Sequence, residues 1–173
     1  KIEFKKNFGP ILGQIDLDEI TELNENDFIK KILPVYKAIN IVCKSYLTKN
    51  KSIIGFIGAP WTLLVYMINR QSPKAKLIDN FFKEEILFKK ILIILEKFLK
   101  IHIKNQINSG AEIIQIFDSW AGLLEEKNLD LYVYNPTSSL VEFTKSLKGI
   151  FLRSASFLPV NFTNEGSFFL PLF

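Results

Sequence analysis

The sequence predicts an α/β fold with parallel strands. Two short apolar segments are typical of buried strands: residues 52–56, bounded by Gly55 and Gly58, and residues 111–117, directly after Gly110. The second has the near-continuous apolar run of a strand that is covered on both faces. Long stretches with helical periodicity lie between the two segments, and crossovers of this length join strands that run parallel.

Helices are predicted before and after the first strand. Asn24 is predicted to cap a short helix that ends near Leu33, and Pro34 suits the first turn of a second helix, which ends near Asn50. After the strand, residues 61–69 are predicted to be helical. The helix that begins at Pro34 is predicted to bury one face, because apolar side chains recur along it at helical spacing: Val35, Ile39, Val42, Cys43 and Tyr46.

A long helix is predicted from about residue 73 or 80 to residue 108, and Gly110 is expected to end it in a left-handed conformation. A further helix is predicted to begin with Asn135 as its cap and Pro136 in its first turn. A third strand should begin at Ile150. The inner face of the last helix is marked by Leu140, Phe143 and Leu147. Because a complete (β/α)8 TIM-type barrel needs about 250 residues, a chain of 173 residues with this order of elements predicts part of such a barrel.

Composition limits the classes to which the protein can belong. The chain is 48% hydrophobic and 23% charged with a formal net charge of +4, which is typical of a globular domain with a lysine-rich surface. The lysines are scattered over helices, which argues against nucleic-acid binding. Its apolar runs are shorter or more interrupted by charges than a membrane span of about 20 residues. Cys43 is the only cysteine, so we expect no internal disulfide, a cytoplasmic location and a buried small side chain.

Two loops carry most of the residues with useful chemistry. Residues 55–67 read Gly-Phe-Ile-Gly-Ala-Pro-Trp-Thr-Leu-Leu-Val-Tyr-Met, and residues 115–122 read Gln-Ile-Phe-Asp-Ser-Trp-Ala-Gly. Each follows a predicted strand, and ligands of parallel α/β folds bind at the carboxyl ends of strands. Taken singly, the residues also fit structural roles: Gly58 an ordinary turn, Tyr66 a core tyrosine, and Asp118 with Ser119 a helix cap.

Both patterns resemble those of uroporphyrinogen decarboxylase, and the resemblance extends from about residue 8 to residue 149. It implies an enzyme that removes the four acetate carboxyls of uroporphyrinogen III to give coproporphyrinogen III in haem biosynthesis, as a cytoplasmic homodimer. It implies no metal and no organic cofactor, because a protonated pyrrole is itself an electron sink. The protein's contribution is then general acid catalysis with preorganised charges.

The same resemblance implies roles for five residues. Phe56 and Phe117 are expected to form an aromatic wall against the tetrapyrrole, and Gly58 lets the backbone pass close to it. The Tyr66 hydroxyl is expected to approach a substrate acid group and is the expected catalytic residue. The Ser119 hydroxyl is expected to hydrogen-bond a substrate carboxylate.

The chain departs from the family's pattern at both ends. The family's arginine-rich N-terminal loop, its central aspartate and its late histidine have no counterpart, so we expect a central piece without the full catalytic apparatus. Asp118 stands where the resemblance implies that the family tolerates another acid, and it is the weaker candidate for a direct contact. His102 lies within a predicted helix, far from a strand end, and is expected to be a surface or partly buried histidine.

The last residues show no pattern of the family. Residues 1–150 are expected to form the partial barrel. Residues 151–173 are expected to be a divergent terminus or the product of a frameshift or of a mis-assembled gene end. Two other functions stay open at this point. One is a corrinoid-linked methyltransferase, which shares the barrel but uses zinc, whereas one Cys and one His far apart form no zinc cluster. The other is a non-catalytic fragment that binds porphyrinogen or pairs with a subunit.

Overall fold

The described strands form a small antiparallel hairpin and a parallel sheet. The computed structural model describes residues 2–5, 9–13, 20–45, 49–70, 77, 81–147 and 155–159. Strand β1 (Ile2–Lys5) pairs with β2 (Gly9–Leu12) in the hairpin. Two hydrogen bonds tie the hairpin to the rest of the chain, because the Leu12 N–H donates to the Arg70 carbonyl (2.7 Å) and Arg70 Nε donates to the Leu12 carbonyl (3.1 Å).

The parallel sheet contains β3 (Ile54–Gly58), β4 (Ile113–Asp118) and β5 (Ala155–Pro159), in that spatial order. All three carboxyl ends therefore lie at one edge of the sheet. The predicted α/β class with parallel strands is confirmed. The third strand was expected from Ile150 and is found at β5, while residues 148–154 lie outside the described part of the chain. The division of the chain after residue 150 stays a prediction.

The helices agree with most of the predicted segments. A 3₁₀ turn (Phe81–Glu84) precedes the longest helix, and Gly110 follows that helix with a φ of 116°, the positive value that its predicted role requires. In the parts of the chain that the structure describes, no helix is long and apolar enough to cross a membrane. The α-helices whose bounds lie within the described residues are α1 (Glu25–Cys43), α2 (Pro60–Asn69), α3 (Glu85–Asn108), α4 (Glu126–Leu129) and α5 (Asn135–Ser146).

Helix α1 is continuous, so the prediction of two helices divided at Pro34 is wrong. Proline lacks the N–H that would donate to the preceding turn, which weakens a helix at that point. Packing against α3 on both sides of Pro34 keeps the helix intact. The Phe28 ring lies 4.9 Å from the Phe98 ring, and Tyr36 Oη lies 3.0 Å from His102 Nδ1.

The inner face of α1 also differs from the predicted one. Tyr36 is buried, and Ile39 packs against the core, but Val35 and Val42 are 47% and 46% exposed. The buried face of α1 is therefore shifted by about one residue position from the predicted face. Tyr46, the last member of the predicted stripe, lies outside the described residues.

Cys43 is exposed, so the prediction that it is buried is wrong. It is the last residue of α1 and lies beside Gly110. A Cβ at Gly110 would lie 2.6 Å from the Cys43 Sγ, so the glycine makes room for the thiol. Because α1 ends at Cys43, no further turn of the helix covers this side chain.

The helices cover one face of the parallel sheet. Ile57, Ile114 and Ile116 point to this face, are 4% exposed or less, and pack with side chains of α3 and α5. Phe56 and Phe117 lie on the opposite face, where they are 66% and 38% exposed. The prediction of strands covered on both faces is therefore wrong for the described part of the chain.

Helix α5 continues an earlier helical segment, so the prediction that Asn135 caps its start is wrong. Helix α4 leads through a π-helical turn (Asp130–Tyr134) directly into α5, and Asn135 has helical backbone angles. The π-helical turn buries Tyr132 and Val133 in the core beside α2 and α3, which explains why the chain does not leave the helix there. The predicted inner face of α5 is confirmed: Leu140 is fully buried, and Phe143 and Leu147 pack against the same core cluster.

Candidate active site

The two sequence patterns meet at the carboxyl ends of β3 and β4. Strand β3 ends at Gly58, and Pro60 begins α2 directly afterwards. The N–H of Ala59, between them, donates to the Phe117 carbonyl over 2.7 Å. The first turn of α2 is thereby held against the end of β4. This is the edge at which parallel α/β folds bind ligands.

Phe56 and Phe117 form an aromatic pair on the open face of the sheet. Their ring centroids are 6.2 Å apart and their planes are inclined by 71°, which is an edge-to-face contact. Register explains the pair, because Phe117 lies opposite Gly58, two residues beyond Phe56 on β3. The pair offers an apolar wall beside the strand ends, on which a flat ring can stack.

A buried amide holds the backbone of Phe56. Phe56 N–H donates to Gln106 Oε1, and Gln106 Nε2 donates to the Phe56 carbonyl, each over 3.1 Å. Gln106 is 2% exposed. Gly55 is required for this arrangement, because an added Cβ there would lie 2.5 Å from Gln106 Oε1.

Gly58 has a structural reason to be glycine. A Cβ at this position would lie 3.0 Å from Leu63 Cδ2, which is closer than side chains normally pack. Leu63 is in the first turns of α2, so a small residue at Gly58 lets the helix turn back onto the strand that precedes it. The backbone approach to a ligand, expected for Gly58 from the sequence, stays a prediction.

Tyr66 and Ser119 are linked through Trp120, which contacts the Tyr66 ring and follows Ser119 in the chain. Tyr66 is half-buried in α2, and its ring meets the Trp120 ring edge to face with centroids 6.0 Å apart. Ser119 is half-buried in the turn between β4 and a 3₁₀ helix (Ala121–Leu123). The structure therefore brings the helix that bears Tyr66 and the turn that bears Ser119 into one unit.

Asp118 faces the helices and not the open face of the sheet. It is fully buried, on the same side of β4 as Ile114 and Ile116. The Thr62 hydroxyl donates to Asp118 Oδ1 over 2.7 Å, while Oδ2 has no hydrogen-bond partner among the described residues. Burial raises the pKa of the Asp118 carboxyl to about 6, and the Thr62 hydrogen bond opposes that rise. These features favour a structural role over contact with a ligand.

His102 is remote from the strand ends. It lies in the middle of α3, is partly buried, and contacts Tyr36 and Phe28 of α1. Burial lowers the pKa of the His102 imidazole. It joins two helices, in agreement with the expectation that it is a partly buried helix histidine. Within the described ranges, no group of three or more His, Cys, Asp and Glu side chains is placed to hold a metal ion.

Sequence reasoning missed two residues that support the site. Thr62 lies inside the first pattern, and its signal was a hydroxyl one turn before Tyr66, in the part of the helix where the other residues before Tyr66 are apolar. Gln106 lies near the end of α3, and its signal was a polar residue on the buried stripe of a helix, combined with glycine in the middle of a strand.

Comparison with known proteins places both patterns in one family. The sequence model of the family described as uroporphyrinogen decarboxylase (URO-D) matches residues 1–161. Uroporphyrinogen decarboxylase of Orientia tsutsugamushi (strain Ikeda) is 41% identical over 151 residues, which are 83% of this chain and 42% of that protein. The Rickettsia bellii protein of the same name is 37% identical over 157 residues, 87% of this chain and 44% of that protein.

A third relative is similar to the chain to nearly the same degree. Uroporphyrinogen decarboxylase of Campylobacter jejuni (serotype O:2) is 36% identical over 149 residues, which cover 84% of this chain and 44% of that protein. The chain thus spans less than half the length of the curated relatives it matches. The family match takes in both site patterns and all of the described residues, and the chain belongs to the uroporphyrinogen decarboxylase family.

Proposed function

We propose that this chain provides part of the active site of a uroporphyrinogen decarboxylase, a carboxy-lyase that converts uroporphyrinogen III to coproporphyrinogen III. The observation that carries the proposal is the meeting of the two family patterns at the carboxyl ends of β3 and β4, where Phe56 and Phe117 form an exposed aromatic wall. The proposal includes the (β/α)8 barrel of the family, of which β3, β4 and β5 are consecutive strands. It also includes a homodimer in the cytoplasm.

The reaction requires an apolar surface against the pyrroles and hydrogen-bond donors for the carboxylates. A proton adds to a ring carbon of a pyrrole, the bond from the acetate methylene to its carboxylate breaks, and the electron pair moves into the cationic ring. Carbon dioxide leaves, a proton added to the methylene carbon completes the methyl group, and the ring carbon releases the proton it first took up, which restores the pyrrole. The flat pyrroles suit Phe56 and Phe117, and the eight carboxylates of the substrate suit hydroxyl donors such as Ser119.

Tyr66 and Ser119 are the proposed contacts with substrate acid groups, and Tyr66 is the proposed catalytic residue. Both side chains are half-buried, which leaves them partly accessible and also held in place by their neighbours. A hydroxyl donor in such surroundings stabilises a carboxylate more strongly than it does in bulk water. Gly58 is proposed to bring the backbone near the same acid groups.

Decarboxylation of uroporphyrinogen by the purified chain tests the proposal. The chain is incubated anaerobically with enzymatically generated uroporphyrinogen, and the oxidised products are separated by chromatography. Because the chain provides only part of the active site, we expect partially decarboxylated porphyrins once the N-terminal and C-terminal parts of a full-length family member are added, with losses of at least about tenfold in Tyr66→Phe and Ser119→Ala. The matched controls Tyr134→Phe and Ser146→Ala change exposed residues of the α4–α5 segment and should retain activity.

The same experiment separates the alternatives. Porphyrinogen that is bound by the folded chain but not decarboxylated, with binding weakened in Ser119→Ala, would favour a binding fragment over an active enzyme. Neither binding nor product from a folded chain would refute the proposal for this chain.

A further inference from the structure

We infer that Thr62 is a positioning residue whose hydroxyl joins α2 to the turn carrying Ser119, and so sets the Ser119 hydroxyl relative to Tyr66. The inference deepens the proposed function, on which it rests, because it names the support of two proposed site residues. Thr62 itself is 5% exposed and acts through its neighbours.

The residues on each side of Ser119 are both bound to Thr62. The Thr62 hydroxyl donates to Asp118 Oδ1 over 2.7 Å and accepts from the Trp120 N–H over 3.4 Å. One hydroxyl therefore holds the residue before Ser119 by its side chain and the residue after it by its backbone. A turn fixed at both flanking positions has little freedom left at the residue between them.

Two further hydrogen bonds join the same two segments. Trp61 Nε1 donates to the Trp120 carbonyl over 2.8 Å, and the Ala59 N–H donates to the Phe117 carbonyl over 2.7 Å. The first turn of α2 thus binds residues 117, 118 and 120 of the strand end, and Thr62 alone makes two of the contacts. Because Asp118 is fully buried, water does not compete for its bond to Thr62.

Tyr66 is linked to the turn that Thr62 holds. It follows Thr62 by four residues, so the two side chains lie on one side of α2, and the Tyr66 ring contacts the Trp120 ring. A displacement of Trp120 therefore alters the surroundings of Tyr66 and the path of the chain at Ser119 together. This coupling distinguishes Thr62 from a threonine that only fills the core.

The test removes the hydroxyl and keeps the shape. Thr62→Val deletes both hydrogen bonds at nearly constant volume, Thr62→Ser restores the hydroxyl, and Thr62→Ala is a second variant without it. Thr144→Val is the matched control, because Thr144 is also fully buried and its hydroxyl donates to the Leu140 carbonyl over 2.7 Å, far along the chain in α5.

Two measurements are made on each folded variant. One is hydrogen exchange of the Trp61 indole N–H, one of only two tryptophan indoles in the chain. The other is affinity for uroporphyrin, followed by the anisotropy of the porphyrin's own fluorescence. In Thr62→Val and Thr62→Ala we expect faster indole exchange and an affinity about threefold to tenfold weaker. Thr62→Ser should recover both values, and Thr144→Val should leave both unchanged.

The outcomes separate this inference from the proposed function. Uroporphyrin bound equally well by wild type, Thr62→Val and Thr144→Val, with equal indole exchange, would overturn the inference alone. A wild-type chain that does not bind uroporphyrin would count against the proposed function. In that case the indole exchange of Thr62→Val compared with Thr144→Val still decides whether Thr62 holds the turn.

Discussion

The side-chain amide of Gln106 forms two hydrogen bonds with the backbone of Phe56, one to its N–H and one to its carbonyl. This is the pairing that a neighbouring strand would offer, here supplied by a helix. Phe56 is also one of the two residues of the aromatic wall. Gln106 therefore contributes to the site without reaching its surface.

Gln106→Glu should destabilise the chain. The carboxylate keeps an acceptor for the Phe56 N–H but turns an oxygen, and no donor, toward the Phe56 carbonyl in a buried position. We expect a loss of about 1–3 kcal/mol in the free energy of unfolding, measured by urea denaturation. Asn105→Asp is the control, since Asn105 donates to the Ile101 carbonyl at a partly exposed position and should cost less. Equal losses in both variants would contradict this account of Gln106.

Gly55→Ala should also destabilise the chain, because the new Cβ would lie 2.5 Å from Gln106 Oε1 and 3.0 Å from Ile114 Cδ1. Overpacking of this kind costs about 1–3 kcal/mol. The double variant Gly55→Ala with Gln106→Ala removes the closest clash, so its loss should be smaller than the sum of the two single losses. Strict additivity in urea denaturation would show that the two residues do not compete for this space.

Asp118 should make the chain less stable as the pH rises through the weakly acidic range. Its pKa in the folded chain, about 6, lies above the usual 3.8, so the folded state binds the proton more tightly. The resulting stability is present below the lower value and lost as the pH rises through the higher one. The difference corresponds to about 3 kcal/mol.

Asp118→Asn is the variant that checks this prediction, since its side-chain oxygen still accepts from Thr62. Urea denaturation at several pH values should show that its advantage over wild type grows between about pH 4 and about pH 7. Asp130→Asn, at an exposed position, is the control and should follow wild type. An Asp118→Asn curve parallel to that of wild type would refute the prediction.

The contribution of His102 to stability should depend on pH in the opposite sense to that of Asp118. Burial lowers the pKa of the His102 imidazole below its ordinary 6.5, so the unfolded chain binds the proton more tightly. The stability from neutral His102 is present above pH 6.5 and is lost as the pH falls through the folded pKa. His102 is the only histidine, so its NMR titration gives the value directly. A midpoint below that of the urea-unfolded chain is expected, and an equal or higher midpoint would contradict the burial of the ring.

The sequence predicted the segments whose signals are local. Short apolar runs next to glycines located β3 and β4, and the positive φ of Gly110 follows from glycine ending a long helix. The sequence did not predict that α1 continues through Pro34, because that depends on Phe28 and Tyr36 meeting side chains of α3 far along the chain. Tertiary packing there outweighs a local helix-breaking signal.

The candidate site also has features that could be predicted from the sequence and features that could not. The resemblance of the two patterns to the family implied an aromatic wall of Phe56 and Phe117, and the two rings do meet on the open face of the sheet. The hydrogen bonds of Thr62 and Gln106 could not be predicted, since each joins residues at least 50 positions apart and neither partner carries a distinctive local pattern. The exposed face of the sheet was also missed, because an apolar run does not reveal which of its faces meets a helix.

The order of the strands has a consequence for how the chain folds. Ile54 pairs with Ile113, so β3 gains its neighbour only after α2 and α3 have been synthesised. Such distant pairing raises the entropy cost of the folding transition state and slows folding. During translation at roughly 5–20 residues per second, β3 therefore spends several seconds with its β4-facing edge unpaired. Chaperones that bind extended apolar chain have this interval in which to act on the nascent protein.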